Sequence, residues 1–128
     1  MKGQALVEFA VSFVIILILL SGAVELGIGL FQYIQLRDAA QEGALFGSVC
    51  QERDLIEQRA RNSSNSPLDL TDKTLVDVSV EETDDEGVRV TMSHRHRVFM
   101  PFASLFAGEY INIEVFVVDT ILTRGNCK

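Results

Sequence analysis

Two glutamates interrupt or border the most apolar stretch of this sequence. Glu8 opens a run that is apolar from Phe9 to Val24 apart from two serines, and Glu25 follows the run directly. An acidic side chain at membrane depth is costly, so it marks a candidate functional group that needs a partner. A free α-amino group, which is positive at neutral pH, would suit Glu8. We expect Glu25 to lie at the outer membrane interface or against a neighbouring helix.

The other residue types that could carry catalysis or bind a metal form weaker patterns. His94 and His96 are two apart on a predicted strand, a spacing that can ligate zinc, but no third ligand is suggested nearby. Arginines at 95 and 97 oppose a cation, so we expect a solvated basic edge and no metal. The acidic run 81–86 lacks the ligand spacing of an EF-hand and is interpreted as a charged hairpin beside an edge strand. Without a nucleophile–base arrangement or a phosphate-binding loop, we expect no enzyme activity and no cofactor.

Two cysteines, Cys50 and Cys127, are too far apart for a zinc knuckle or a thioredoxin-like pair. If this part of the chain lies outside the cytoplasm, a long-range disulfide is the natural interpretation, because oxidising compartments preserve such bonds. Two unrelated buried thiols are the alternative.

The apolar run is long enough to cross a membrane. A spanning helix needs about 20 apolar residues, and the apolar character resumes after Glu25 through Phe31. Leu, Ile, Phe and Val each favour insertion by about 0.3 to 0.6 kcal/mol, which together outweighs about 3 kcal/mol for one central acidic residue. Residues 9–20 lack the polar stripe that a soluble core helix shows. Lys2 precedes the run, so the positive-inside rule places the N-terminus in the cytoplasm and the rest outside.

Beyond the membrane segment the pattern becomes amphipathic and predicts that the helix continues to about Arg61. Ala39, Gly43 and Gly47 recur at every fourth position, a spacing that allows close approach of backbones. This stripe is expected to seat the domain's own sheet, a neighbouring helix, or both.

The rest of the chain predicts a small head with an antiparallel sheet. A Ser/Asn/Pro cluster at 62–67 ends the helix. Strands are predicted at 75–82, 87–100 and 111–122, the first two as a hairpin and the third in the middle of the sheet or against the helix. The fold class is therefore α+β, with a long N-terminal membrane-spanning helix and a three- to four-stranded sheet.

Charge limits the partners. The 128-residue chain has the length of one domain and carries a formal net charge of −7. Nucleic-acid binding needs clustered Lys and Arg, so no nucleic-acid partner is expected.

The opening of the chain carries a family resemblance. Gly3, with Glu8 five positions later and a long apolar run behind it, resembles the prepilin pattern. The Glu8–Phe9 pair is similar to the Glu-aromatic signature of the Tad (tight adherence) pilins. Residues 3–10 resemble the start of TadE-like pseudopilins, and residues 38–44 are similar to the Ala/Gly-rich stretch that those proteins carry beyond the membrane.

The resemblance implies a processed and assembled subunit. A prepilin peptidase would cut between Gly3 and Gln4, and Glu8 would then pair with the released ammonium group of an adjacent subunit. The implied role is a minor pilin or pseudopilin that helps to assemble a Tad-type pilus for adherence or secretion. The implied partners are other pilins and pseudopilins, the peptidase, the inner-membrane assembly platform and lipid. The implied domains are a leader at 1–3, a transmembrane helix at 4–33, its extracytoplasmic continuation at 34–61, and a pilin-like head at 62–128.

A conventional signal peptide is the competing interpretation. Ser21, Gly22 and Ala23 place small residues where a signal peptidase requires them, after an apolar region that ends at Leu20. The mature chain would then begin at Val24, as an extracytoplasmic binding domain unrelated to pili; a plain signal anchor would leave the same kind of domain uncut. Against cleavage, Glu8 offsets the positive charge that a signal peptide needs, and the apolar run continues past the cut.

Overall fold

The computed structural model describes residues 2–124 and residue 127. Met1, at the start of the predicted leader, lies outside the described residues, as do residues 125, 126 and 128 of the predicted head. In chain order the elements are α1 (Lys2–Gly47), α2 (Arg53–Arg61), β1 (Val76–Thr83), β2 (Gly87–Arg97), α3 (Ser104–Ala107) and β3 (Tyr110–Thr120). The predicted α+β class is confirmed: a long apolar helix precedes a small head with a three-stranded antiparallel sheet of order β1-β2-β3.

The helix α1 is far longer than a membrane requires. Its 46 residues extend about 69 Å at 1.5 Å per residue, against a hydrocarbon thickness of about 30 Å. The large apolar side chains of its first half are exposed, with Leu6 at 70% and Phe9 at 69%. A window of mean hydropathy 2.5 makes this helix long and apolar enough to cross a membrane. The remaining length is available to the head.

The chain divides into two compact units. Residues Met1–Gly29 and His96–Ile111 form one, called here the N-terminal unit. Residues Leu30–Arg95 and Asn112–Lys128 form the other, the head unit.

The core of the head unit is built from α1, α2 and the inner face of the sheet. Leu36, Ala40 and Ala44 of α1 are fully buried, as are Ile56 and Ala60 of α2. These side chains share one cluster with strand residues of β1, β2 and β3. The amphipathic pattern predicted beyond the membrane segment therefore faces the chain's own sheet.

A break separates α1 from α2, so the prediction of one helix to about Arg61 is wrong. The carbonyl of Ser48 would normally accept a bond from the amide four residues later. It accepts instead from the amide of Leu122, at 2.8 Å. A tertiary bond thus replaces a helical one, and α2 begins afresh at Arg53.

β1 and β2 form the expected antiparallel hairpin, with Thr83 opposite Gly87 and Val76 opposite His94. Two positions were predicted for the third strand. The middle of the described sheet is occupied by β2, whereas Ile113 and Val115 of β3 share the core cluster with α1, in agreement with a position against the helix. β3 lies at an edge.

Close packing at the end of α1 gives a testable prediction. A Cβ atom at Gly47 would lie 2.8 Å from Cγ1 of Val88 and 3.2 Å from Cδ1 of Ile56. We expect Gly47→Ala to destabilise the head by about 1 to 3 kcal/mol, the usual cost of overpacking a core. The measurement is the midpoint of chemical denaturation of the full chain in detergent micelles. Gly29→Ala, on the same helix with no heavy atom within 4 Å of its new Cβ, should leave the midpoint unchanged or raise it. Equal midpoints for the Gly47 variant and the parent would contradict the packing argument.

Candidate functional site

The residues singled out at the N-terminus lie in the first turns of α1. Gly3, Gln4, Glu8 and Phe9 are all exposed. A Cβ atom added to Gly3 would meet nothing within 4 Å, so packing within the chain gives no reason for glycine there. Phe9 stacks on Phe13 with ring centroids 6.1 Å apart. Among the side chains that the structure describes, no ion pair involves Glu8.

Glu25, the second glutamate of the apolar region, is buried within the N-terminal unit. Its side chain is 4% exposed, and its Oε1 lies 2.6 Å from Nε2 of His96. The backbone amide of Phe99 donates to both carboxylate oxygens at 3.2 Å, and the amide of Met100 donates to Oε2 at 3.0 Å. Glu25 therefore joins α1 to the segment that follows β2.

The partner His96 is still more deeply buried. Its side chain is 1% exposed, and its ring packs edge-on against Phe99 with centroids 5.8 Å apart. An ionised carboxylate can only accept hydrogen bonds, so Nε2 of His96 carries the proton that it donates to Glu25. A buried carboxylate is tolerated when its oxygens are hydrogen-bonded, and this one accepts from Nε2 of His96 and from the amides of Phe99 and Met100.

One prediction is corrected by this arrangement. The carboxylate of Glu25 takes its partners from later in its own chain and not from a neighbouring helix. The histidines do not form a solvated basic edge, since His94 and His96 are both buried and only Arg95 and Arg97 of that stretch are exposed. A strand alternates its faces, and this one turns the histidines inward.

One sequence signal could have placed the histidines correctly. Buried residues occupy every second position of β2, and they are Val88, Val90, Met92, His94 and His96. The histidines therefore lie on the same face of the strand as the core residues. Nothing local indicates the Glu25–His96 pair, whose members lie 71 residues apart.

The histidine pair does not form a metal centre among the described residues. Nδ1 of His94 lies 2.7 Å from the carbonyl oxygen of Leu75, and His96 is bonded to Glu25. No group of three or more His, Cys, Asp or Glu side chains is placed to hold a metal within residues 2–124 and 127.

The small-residue stripe of α1 packs inside the head unit. Ala39 is 1% exposed. A Cβ atom at Gly43 would lie 3.0 Å from Cβ of Ala60 and 3.5 Å from Cγ1 of Val90. Gly47 faces Val88 in the same way. Of the two partners considered for the stripe, the domain's own α2 and β2 are therefore the ones in contact.

Cys50 and Cys127 form a disulfide, which confirms that prediction. The bond joins a residue just beyond α1 to one 77 positions later. Closing a loop of this length in the unfolded chain removes entropy equivalent to about 4.5 kcal/mol in the chain-entropy model. The head is thus stapled at the point where α1 ends.

Comparison with known proteins bears on the N-terminal helix. Residues 3–45 match the family model described as TadE-like protein. The matched stretch lies within α1 and includes the exposed Glu8 and the buried Glu25. No curated protein and no solved structure gives a significant match.

Proposed function

We propose that this chain, TadE-like over residues 3–45, is a minor pilin or pseudopilin subunit that helps to assemble a Tad-type pilus. The observation that carries the proposal is the coincidence of the family match with one unbroken apolar helix bearing an exposed carboxylate at Glu8. In this role the helix is the polymerisation element and the head supplies the specific surface. The pilus serves surface adherence or secretion.

The proposed pathway begins at Gly3. A prepilin peptidase cuts the bond between Gly3 and Gln4, which leaves a positive ammonium group at the start of α1. Glu8 of one subunit then pairs with the ammonium group of an adjacent subunit. Charges in hydrocarbon need partners, so this pair fixes the axial register of neighbouring helices.

The proposed location is the inner membrane, with the N-terminus in the cytoplasm and the head outside. The long apolar helix supports a single-pass anchor. The Cys50–Cys127 disulfide supports an oxidising compartment for the head, because cytosolic thiols are kept reduced. From this membrane the subunit meets the assembly platform and the other pilins before it joins a filament.

The action proposed is assembly without catalysis. The TadE-like family is a structural one, and the buried Glu25–His96 pair is fully engaged in packing and hydrogen bonds rather than open in a cleft. A cofactor and a nucleic-acid partner have no place in this role.

Cleavage after Ala23 is less well supported by the geometry. α1 runs without a break through Ala23 and Val24. Such a cut would also remove Leu20 and Ser21, which line an apolar groove together with Met100 and Pro101. The family match crosses the same point.

The N-terminal residue and intact mass of the protein from membranes test the proposal. We expect a start at Gln4 in cells with the prepilin peptidase and a start at Met1 without it. Gly3→Leu should abolish cleavage, whereas Gly27→Leu, also at an open helical position, should be cut like the parent. A start at Val24, or at Met1 with the peptidase present, would contradict the pilin pathway.

A further inference from the structure

An uncharged loop in the N-terminal unit presents large apolar side chains to the surroundings. Residues 99–107, a segment that includes the short helix α3 and is called here the apolar loop, contain no Asp, Glu, Lys, Arg or His. Phe99 is 68% exposed, Leu105 77% and Phe106 81%. Contiguous exposed side chains of this size mark an interaction surface rather than ordinary solvent-facing sequence.

The loop lies beside the apolar part of α1. Met100, Pro101 and Phe102 share an apolar groove with residues of the helix, which are Leu17, Leu20, Ser21 and Val24. A hydrocarbon span of about 20 residues that starts near Gln4 ends close to Val24. The loop is therefore level with the outer half of the span.

Several backbone amides of the loop are hydrogen-bonded within the protein. Irregular backbone is tolerated at membrane depth only when its polar groups are satisfied within the protein. The amides of Phe99 and Met100 donate to Glu25, and position 101 is a proline, which has no amide hydrogen. The amides of Ala103 and Ser104 donate to the carbonyl of Met100. The buried carboxylate thus satisfies the two amides at the point where the chain leaves β2.

The charged residues that flank the loop are also compatible with insertion of the loop into a membrane. Charged side chains flank it only at Arg97 on one side and Glu109 on the other, and both are exposed. Side chains at these positions can reach the headgroup layer, where Arg97 is attracted to anionic lipid.

We propose that the apolar loop inserts into the outer leaflet beside α1, as a second membrane contact with lipid acyl chains as its ligand. The continuity of the loop with the spanning segment selects lipid as the occupant. The proposal rests on α1 crossing the membrane and is independent of the role in pili. In its inserted state the loop fixes how deeply α1 sits and how it is rotated in the bilayer.

Depth-dependent fluorescence quenching tests this. The chain has no tryptophan, so Phe106→Trp gives a single probe at the tip of the loop. The full chain is reconstituted into phospholipid vesicles whose acyl chains are brominated at known depths. We expect the probe to lie about 5 to 10 Å below the headgroup boundary and to resist aqueous iodide. Phe102→Trp provides a second position if the first variant is poorly made.

Two control variants report whether the anchor is inserted in lipid and whether the head is exposed to water. Leu19→Trp, in the exposed apolar part of α1, should be quenched by brominated lipid and reports that the anchor is inserted. Leu122→Trp, 72% exposed in the head unit, should be quenched by iodide. Loop probes quenched by iodide alone would overturn the proposal while Leu19→Trp remains lipid-quenched. Loop probes shielded from both quenchers would mean that a second copy of the chain covers the loop, which also overturns it.

Discussion

Replacing Glu8 by alanine is expected to leave the protein made, processed and inserted in the membrane, but absent from filaments. Glu8 is exposed on an apolar helix and is not ion-paired among the described side chains, so the fold of the single chain does not need it. Its proposed partner is the ammonium group of a neighbour in hydrocarbon. Removing one member of a buried charge pair costs about 3 to 5 kcal/mol, which predicts a loss of incorporation of about 100-fold or more.

The measurement is the amount of subunit in sheared filaments relative to the membrane fraction. Glu8→Gln keeps the size of the side chain and removes its charge, and we expect it to fail like the alanine variant. Asp38→Ala removes an exposed carboxylate from the same helix outside the apolar run and should assemble normally. Normal incorporation of both Glu8 variants would remove the assembly role assigned to this carboxylate.

Replacing Glu25 by alanine is expected to release the apolar loop from α1. The change leaves the buried His96 and the amides of Phe99 and Met100 without the carboxylate that they contact. Each buried donor that is left without its hydrogen-bond partner costs about 1 to 3 kcal/mol, and this change affects three of them. We therefore expect the exchange of the Phe99 and Met100 amide hydrogens with solvent to accelerate by at least about 100-fold, if the opening is local.

Hydrogen exchange of the full chain in detergent micelles would report this change. Glu114→Ala removes an exposed carboxylate on β3 and should leave both amides protected. In the head unit, the amides of the β1–β2 hairpin should keep their protection in the Glu25 variant. Unchanged exchange at Phe99 and Met100 would show that the carboxylate does not hold the loop.

Much of the fold can be predicted because its signals are local. The run from Phe9 to Val24 predicts a membrane helix by composition alone, and the alternation of valines in β1 predicts a half-buried strand. The disulfide could be anticipated once the head was placed outside the cytoplasm. Each of these inferences needs only a short stretch of sequence or the side of the membrane on which the head lies.

The features that escaped prediction depend on contacts between distant residues. Beyond the end of α1 the carbonyl of Ser48 accepts from the amide of Leu122, a contact that no helix propensity reports. Glu25 meets His96 only through the tertiary fold, because the two lie 71 residues apart in the chain. An unpaired carboxylate in an apolar run signals that a partner exists, but its spacing along the chain does not name that partner. The histidines occupy the same alternate positions of β2 as its buried valines. That pattern indicates a buried face, but the flanking arginines favoured a solvated edge.

In the filament proposed for this chain, the disulfide between Cys50 and Cys127 would also determine how mechanical load passes through the head. A pulling force applied at Cys127 reaches α1 through a covalent bond, without passing through the hydrogen-bond ladder of the sheet. Without the disulfide, the 77 positions between the two cysteines could be stretched to roughly 260 Å of extended chain. With the bond closed, that length stays unavailable even if the sheet comes apart. In the proposed filament, tension on the head would therefore not lengthen the segment between the two cysteines.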